Sequence, residues 1–366
     1  MTDTKKTKIL NYINVFRGLA ILLIVAGHSM QFGNIGTLTQ KISVEIFAGG
    51  TALFIFISGF LFQHLSGKYE FKNYLSKKWT NVILPYLWTA IPGIILCFLY
   101  PTKYGNAFEG LNPLVQIPMM LSVGRVHNTP AWFIPMIILF FLSSWCLLQA
   151  EKKGWLYKIM PIMFFITILL PRIDIDYNST LGLAYGVKYL AYVKYVFMGY
   201  IHFFSMYIFG MYCSANKNII DKFWDMRWLF LPLMILTAGL NVYSSMNTDY
   251  SNGTISKIFL TILVLAYLKH YDEWLIRHEK LNKILDLIAK YSFGIFFIHW
   301  YIFFLYNLAF NLPNVMPVTE NYLYTILIVF VRFIVVTVFS LFTLWAIKQI
   351  ILKLNPNANT RSFIGV

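Results

Sequence analysis

Residues 12–30 read YINVFRGLAILLIVAGHSM, a stretch in which Arg17 and His28 are the only basic side chains. A helix crosses the hydrocarbon core of a bilayer in about 20 apolar residues, so this stretch is predicted to span a membrane. The preceding Met1–Leu10 is polar and carries lysines, and no small-residue cleavage site closes the apolar run. The reading is therefore a retained first helix rather than a signal peptide.

The same pattern recurs along the chain. Further spans are expected at Val44–Leu65, Val82–Tyr100, Ala131–Ala150, Leu156–Leu170, Leu190–Cys213, Trp228–Met246, Ser256–Leu268, Ile288–Phe310 and Tyr322–Ile350. The fifth and eighth are short, and the last is long enough to tilt. Composition agrees: 366 residues are 58% hydrophobic and 12% charged, with mean hydropathy +0.63. Soluble domains carry about twice that charged fraction. The expected fold class is all-α, a polytopic integral membrane bundle of about ten transmembrane helices. It forms one domain over 1–366, with its core over about 11–350, short polar termini and no internal repeat. Pro113–Val123, inside the longest loop, is apolar but too short to span, so a re-entrant or interfacial segment is expected there.

The net charge of +15 raises nucleic acid as a partner, but no zinc-finger, RRM or homeodomain pattern supports it. The basic residues instead set orientation. With the N-terminus in the cytoplasm, 21 of the 30 basic residues fall in inside segments, among them Lys5, Lys6, Lys8, Lys68, Lys72, Lys77, Lys78 and Arg361. Seven fall outside: Lys41, Lys103, Arg125, Arg172, Lys188, Lys194 and Lys257. This places both termini in the cytoplasm. Cys97, Cys146 and Cys213 sit in apolar surroundings and read as small buried hydrophobes. No histidine pair shows metal-site spacing, so no metal is expected.

Charged groups within lipid are costly and call for a reason. Arg17 and His28 are eleven residues apart, which returns them to within about 20° of one helix face, about 16 Å apart along the axis. Taken singly, Arg17 reads as a snorkelling arginine and His28 as an interfacial histidine. Taken together, Arg17-x10-His28 resembles the signature of the membrane acyltransferase 3 family. Four more stretches are similar to that family, in the same order. They are Phe54-Ile-Phe-Ile-Ser-Gly-Phe60, Lys77-Lys78 leading to Leu84-Pro85-Tyr86, Ala131-Trp132-Phe133-Ile134-Pro135, and Tyr291-Ser292 through His299. One departure is plain: the family often has a second basic residue near position 81, and this chain has Asn81.

The resemblance implies transfer of an acyl group, by default acetyl, from cytosolic acyl-CoA to a hydroxyl of a cell-surface or secreted polysaccharide or its precursor. It also implies a bacterial cell membrane as the location. No permanently bound cofactor is expected, acetyl-CoA being the donor substrate; the partners are acyl-CoA, a glycan acceptor and membrane lipid. Arg17, Lys77 and Lys78 suit the donor's phosphates, because a guanidinium donates two parallel hydrogen bonds. His28 suits the general base that deprotonates a sugar hydroxyl. Supporting candidates are Glu45, at the outer depth of His28 and available to orient it, with Ser292, His299, Arg332 and Trp132. His127 is a candidate for an outer acceptor site, and His202 is a lesser functional candidate with no assigned role. Two rival readings stand beside this one: a glycan transporter or flippase, which would need intramembrane charges too, and a non-catalytic partner of a glycan synthase.

Overall fold

The computed structural model describes residues 10–366 except 69, 128–129, 172–174, 176–177 and 319–321. Lys5, Lys6, Lys8 and Arg172, and the side chain of Lys68, which the orientation reading counted, lie outside the described residues. Helices and connecting loops make up the rest, with no strand among the described residues. In lipid this follows from the backbone, whose polar groups must be satisfied within the segment.

The first helix, α1 (Asn11–Ser29), is the centre of the bundle. It packs on α3 (Gly50–Leu65), α13 (Thr254–His270), α15 (Glu279–Phe310) and α16 (Tyr322–Leu354). Between α1 and α3 lies α2 (Leu38–Phe47), so the expected second span is two helices broken at Ala48–Gly49. The expected third span starts earlier than read. Helix α4 (Phe71–Lys78) runs through a π-helical turn at Trp79–Ile83 into α5 (Leu84–Leu99). Pro85 has no N–H to return to the carbonyl of Asn81, and the turn widens there. A short α6 (Pro101–Tyr104) and α7 (Pro113–Val123) follow, the latter being the short apolar segment of the long loop.

Helices α8 (Phe133–Lys152), α9 (Met160–Leu169) and α10 (Tyr185–Ala215) come next. After α11 (Ile219–Asp225), α12 (Arg227–Asn247) packs on α13 and α2 yet buries no residue, as suits a helix at the edge of the bundle. A short α14 (Asp272–Arg277) joins α13 to α15, and α17 (Arg361–Ile364) follows α16. Eight segments among the described residues are long and apolar enough to cross a membrane. Of the ten spans expected, the two short ones fall below that length: Leu156–Leu169, and α13 with 17 residues.

Helices α3 and α10 share a close backbone crossing. A Cβ on Gly59 would lie 2.0 Å from the Tyr207 carbonyl oxygen, and one on Gly210 would lie 2.0 Å from that of Phe56. Small residues permit this approach, which packing between membrane helices favours. Cys97 and Cys213 are buried as expected, whereas Cys146 is exposed on the outward side of α8.

Two readings of position change. Lys257 is not a loop charge: it is buried on α13 with its ammonium 3.6 Å from the Glu45 carboxylate, and it donates to the Glu45 carbonyl. The remaining carboxylate capacity is taken by Ser256 Oγ at 2.5 Å and Asn241 Nδ2 at 2.6 Å. Breaking a buried pair by removing one partner leaves an uncompensated charge and costs about 3–5 kcal/mol. Lys257→Met is therefore expected to lower the thermal midpoint of the detergent-solubilised protein, and Glu45→Gln added to it should recover much of the loss. A double variant no better than the single one would remove the ion pair as the cause. The polar tail after Lys353 also differs from its reading, because it turns back and buries Ile364 and Val366.

Candidate functional site

One end of α1 opens onto a cavity of about 400 Å³ between α1, α3, the α4–α5 helix and the C-terminal segment. Its basic lining residues are Arg17, His64, Lys77, Lys78 and Arg361, and no carboxylate lines it among the described residues. Lys77 and Lys78 reach it because they close the last turn of α4, just before the π-helical turn that carries Asn81. The Lys78 ammonium lies over the Tyr74 and Phe141 rings, at 5.1 and 4.5 Å. A second cavity of about 130 Å³ shares Arg17, Ser58, Lys78, Asn81 and Arg361, and adds Lys290 and Ser292.

Arg17 is oriented by a relay that sequence reading missed. Its Nη2 donates to Asn14 Oδ1 at 2.8 Å, and Asn14 Nδ2 donates to Asp286 Oδ1 at 2.5 Å. The amide is thereby fixed in one orientation, and the guanidinium Nε is left buried without a hydrogen-bond partner. A cavity with this many basic side chains on its wall, and with the buried Arg17 Nε–H left to donate, is suited to an anion with several oxygens.

His28 stands at the other end of α1, half-buried. Its ring centre is 5.3 Å from that of His299 and 5.1 Å from that of Trp300. His299 is fully buried, and its Nδ1 lies 2.9 Å from the Ile295 carbonyl oxygen. That oxygen only accepts, so Nδ1 carries the proton, and in the neutral ring Nε2 is the bare acceptor. Nε2 has no hydrogen-bond partner, nor has the Trp300 Nε1–H. Arg332 closes the cluster from α16, fully buried. Its Nε donates to the Ser29 carbonyl at 2.7 Å, and Nη1 to the Pro313 carbonyl at 2.9 Å. The loop after α1 is tied to the loop before α16 by Gly33 N–H to the Met316 carbonyl at 2.8 Å. That pairing holds Arg332 beside the turn following His28.

The structure thus brings Arg17, Lys77 and Lys78 together at one end of α1, and His28, His299 and Arg332 at the other. Ser292 lines the smaller cavity, two turns of α15 away from His299. Glu45 does not join His28; its carboxylate is occupied by Ser256, Lys257 and Asn241. Trp132 ends the short turn before α8, its ring 6.2 Å from those of Phe133 and Tyr195, and lines neither cavity. His202 bridges the Leu170 carbonyl and Thr254. His127, in the loop after α7, is enclosed by Tyr104 and Phe304. Burial pushes its imidazole down to about 4, so it is neutral at physiological pH. Arg361, Asn14 and Asp286 are the additions. Asn14 shares the Arg17 face of α1 by its spacing, whereas Arg361 has no local signal.

A family model described as an acyltransferase domain matches residues 10–346. No curated protein and no solved structure matches the chain.

Proposed function

Because the chain belongs to the acyltransferase 3 family, we propose that it is an integral membrane O-acyltransferase moving an acetyl group from cytosolic acetyl-CoA to a hydroxyl of a cell-envelope or secreted glycan. The observation that carries this reading is the arrangement of α1. Its one face bears Arg17 in a basic cavity and, about 16 Å further on, His28 among groups with unused hydrogen-bonding capacity.

The donor's phosphates enter the basic cavity, where Arg17, Lys77 and Lys78 neutralise them. A cytoplasmic position for this end of α1, where acyl-CoA is found, agrees with the positive-inside pattern. The thioester then extends along α1 toward His28. A neutral imidazole takes the proton of the acceptor hydroxyl as its oxygen attacks the thioester carbon. The carbon–sulfur bond breaks, and the thiolate leaves with its proton returned from the imidazolium. Arg332 and the Trp300 N–H are the fixed donors nearest this chemistry, suited to the developing oxyanion. Glu45 has its own partners, so the orientation of His28 falls to packing against His299 and Trp300.

The test uses membranes containing the wild-type protein, radiolabelled acetyl-CoA and envelope glycan. Label removable by mild alkali, as an ester is, should enter the glycan. No transfer, combined with a defect in glycan export when the gene is deleted, would instead favour a transporter. Arg17→Ala is expected to raise the KM for acetyl-CoA by about 10- to 100-fold, the value of a charge-assisted hydrogen bond. An unchanged KM would take Arg17 out of donor binding.

A further inference from the structure

The family match ends at residue 346, yet the donor cavity is not complete without residues that follow it. After α16 the chain turns back, and α17 docks on α5 and α15. Phe363 stacks on Trp88 with ring centres 6.0 Å apart, and Ile364 and Val366 are buried. Thr360 Oγ1 donates to the main-chain oxygen of Val366 at 2.6 Å, closing the turn. The docking surface on α15 is Gly294, where a Cβ would lie 2.6 Å from Val366 Cγ2 and 2.8 Å from the Ile364 carbonyl oxygen. Only a residue without a side chain lets the segment settle here. What it carries into the cavity is Arg361, which lines both cavities together with Arg17, Lys78 and Asn81. Its charge bears directly on both Arg17 and Lys78.

We propose that Arg361 is a donor-binding residue, delivered by the docked C-terminal segment to contact the phosphates of acyl-CoA in the cavities that Asn81 also lines. The inference rests on the acyl-CoA reading above. Its independent support is geometric. Apolar contacts of Phe363, Ile364 and Val366 hold the segment down, and they place a guanidinium next to two other cations. Like charges brought together in a partly dry cavity repel one another, and a polyanionic ligand reverses the sign of that arrangement. An arginine fork is the side chain best matched to phosphate oxygens.

The test compares purified wild type, Arg361→Ala and the double variant Asn81→Arg with Arg361→Ala, each in lipid nanodiscs, by acetyl-CoA saturation kinetics. Arg361→Ala should raise the KM for acetyl-CoA by about tenfold or more, with kcat little changed. Arginine restored from position 81 should bring the KM most of the way back, which a merely structural role of Arg361 would not allow. If Arg361→Ala does not fold, Gly294→Ala displaces the segment while leaving the guanidinium in the chain, and should raise KM in the same way. An unchanged KM in Arg361→Ala, or in Gly294→Ala where that is the variant available, overturns the proposal while leaving the donor reading intact. A rise in KM that Asn81→Arg fails to reverse also overturns it. Wild type that transfers nothing from acetyl-CoA fails the donor reading first, and this proposal falls with it.

Discussion

His28→Ala, inserted in membranes at the wild-type level, should lose transfer by between about 100- and 10,000-fold, the range contributed by a positioned general base. The expectation follows from where the imidazole sits. It shares a helix face with Arg17, is half-buried, and borders two rings with hydrogen-bonding capacity left over, at His299 Nε2 and Trp300 Nε1. The proximity of two imidazoles makes His299→Ala the necessary companion. His299 is committed through Nδ1 to the Ile295 carbonyl, so it is expected to tune the cluster, with a smaller loss than His28→Ala. The reverse ranking would transfer the role of base to His299, whose Nε2 is a bare acceptor. Equal activity in all three proteins would remove the cluster from the chemistry. Membrane insertion, checked by size-exclusion profile, separates these outcomes from misfolding.

The second large effect concerns folding. Gly210→Ala should prevent recovery of folded protein, or destabilise it by more than the about 1–3 kcal/mol typical of overpacking. Overpacking of side chains is relieved when they change rotamer. Here the added methyl would meet the Phe56 carbonyl oxygen at 2.0 Å and the Phe60 nitrogen at 2.8 Å, and only separation of α3 from α10 relieves it. Gly59→Ala meets the mirror-image obstacle at Tyr207 and should behave alike. Gly239→Ala on α12 is the control: its Cβ would meet nothing within 4 Å, and alanine favours the helix over glycine. A Gly210→Ala protein with the thermal midpoint of Gly239→Ala would contradict the close crossing.

These residues also show how much of the molecule was legible in the chain. Period and apolarity are local properties, and they were enough for the helical class and for placing Arg17 and His28 on one face of α1. The Ser58-Gly59 pair could be quoted as part of a pattern, but its physical reason, a backbone crossing with α10, depends on residues about 150 positions away. Glu45 was misplaced for a similar reason. Depth in the membrane suggested His28 as its neighbour, while the tertiary fold gave it Lys257, over 200 positions on and read as a loop charge. Arg361 was counted only for orientation. A polar tail gives no local indication that three apolar residues will fold it back into a cavity.

The single helix that bears both Arg17 and His28 also acts as a ruler. Its length between those residues does not change with ligand, since a packed α-helix at the centre of the bundle is stiff. On the proposed reading, the donor's arm must reach a fixed distance, and whatever is attached to its end arrives at the imidazole or overshoots it. Selectivity for short acyl groups would then be a property of helical rise, set by the ten residues between Arg17 and His28 rather than by the shape of a pocket around the acyl chain.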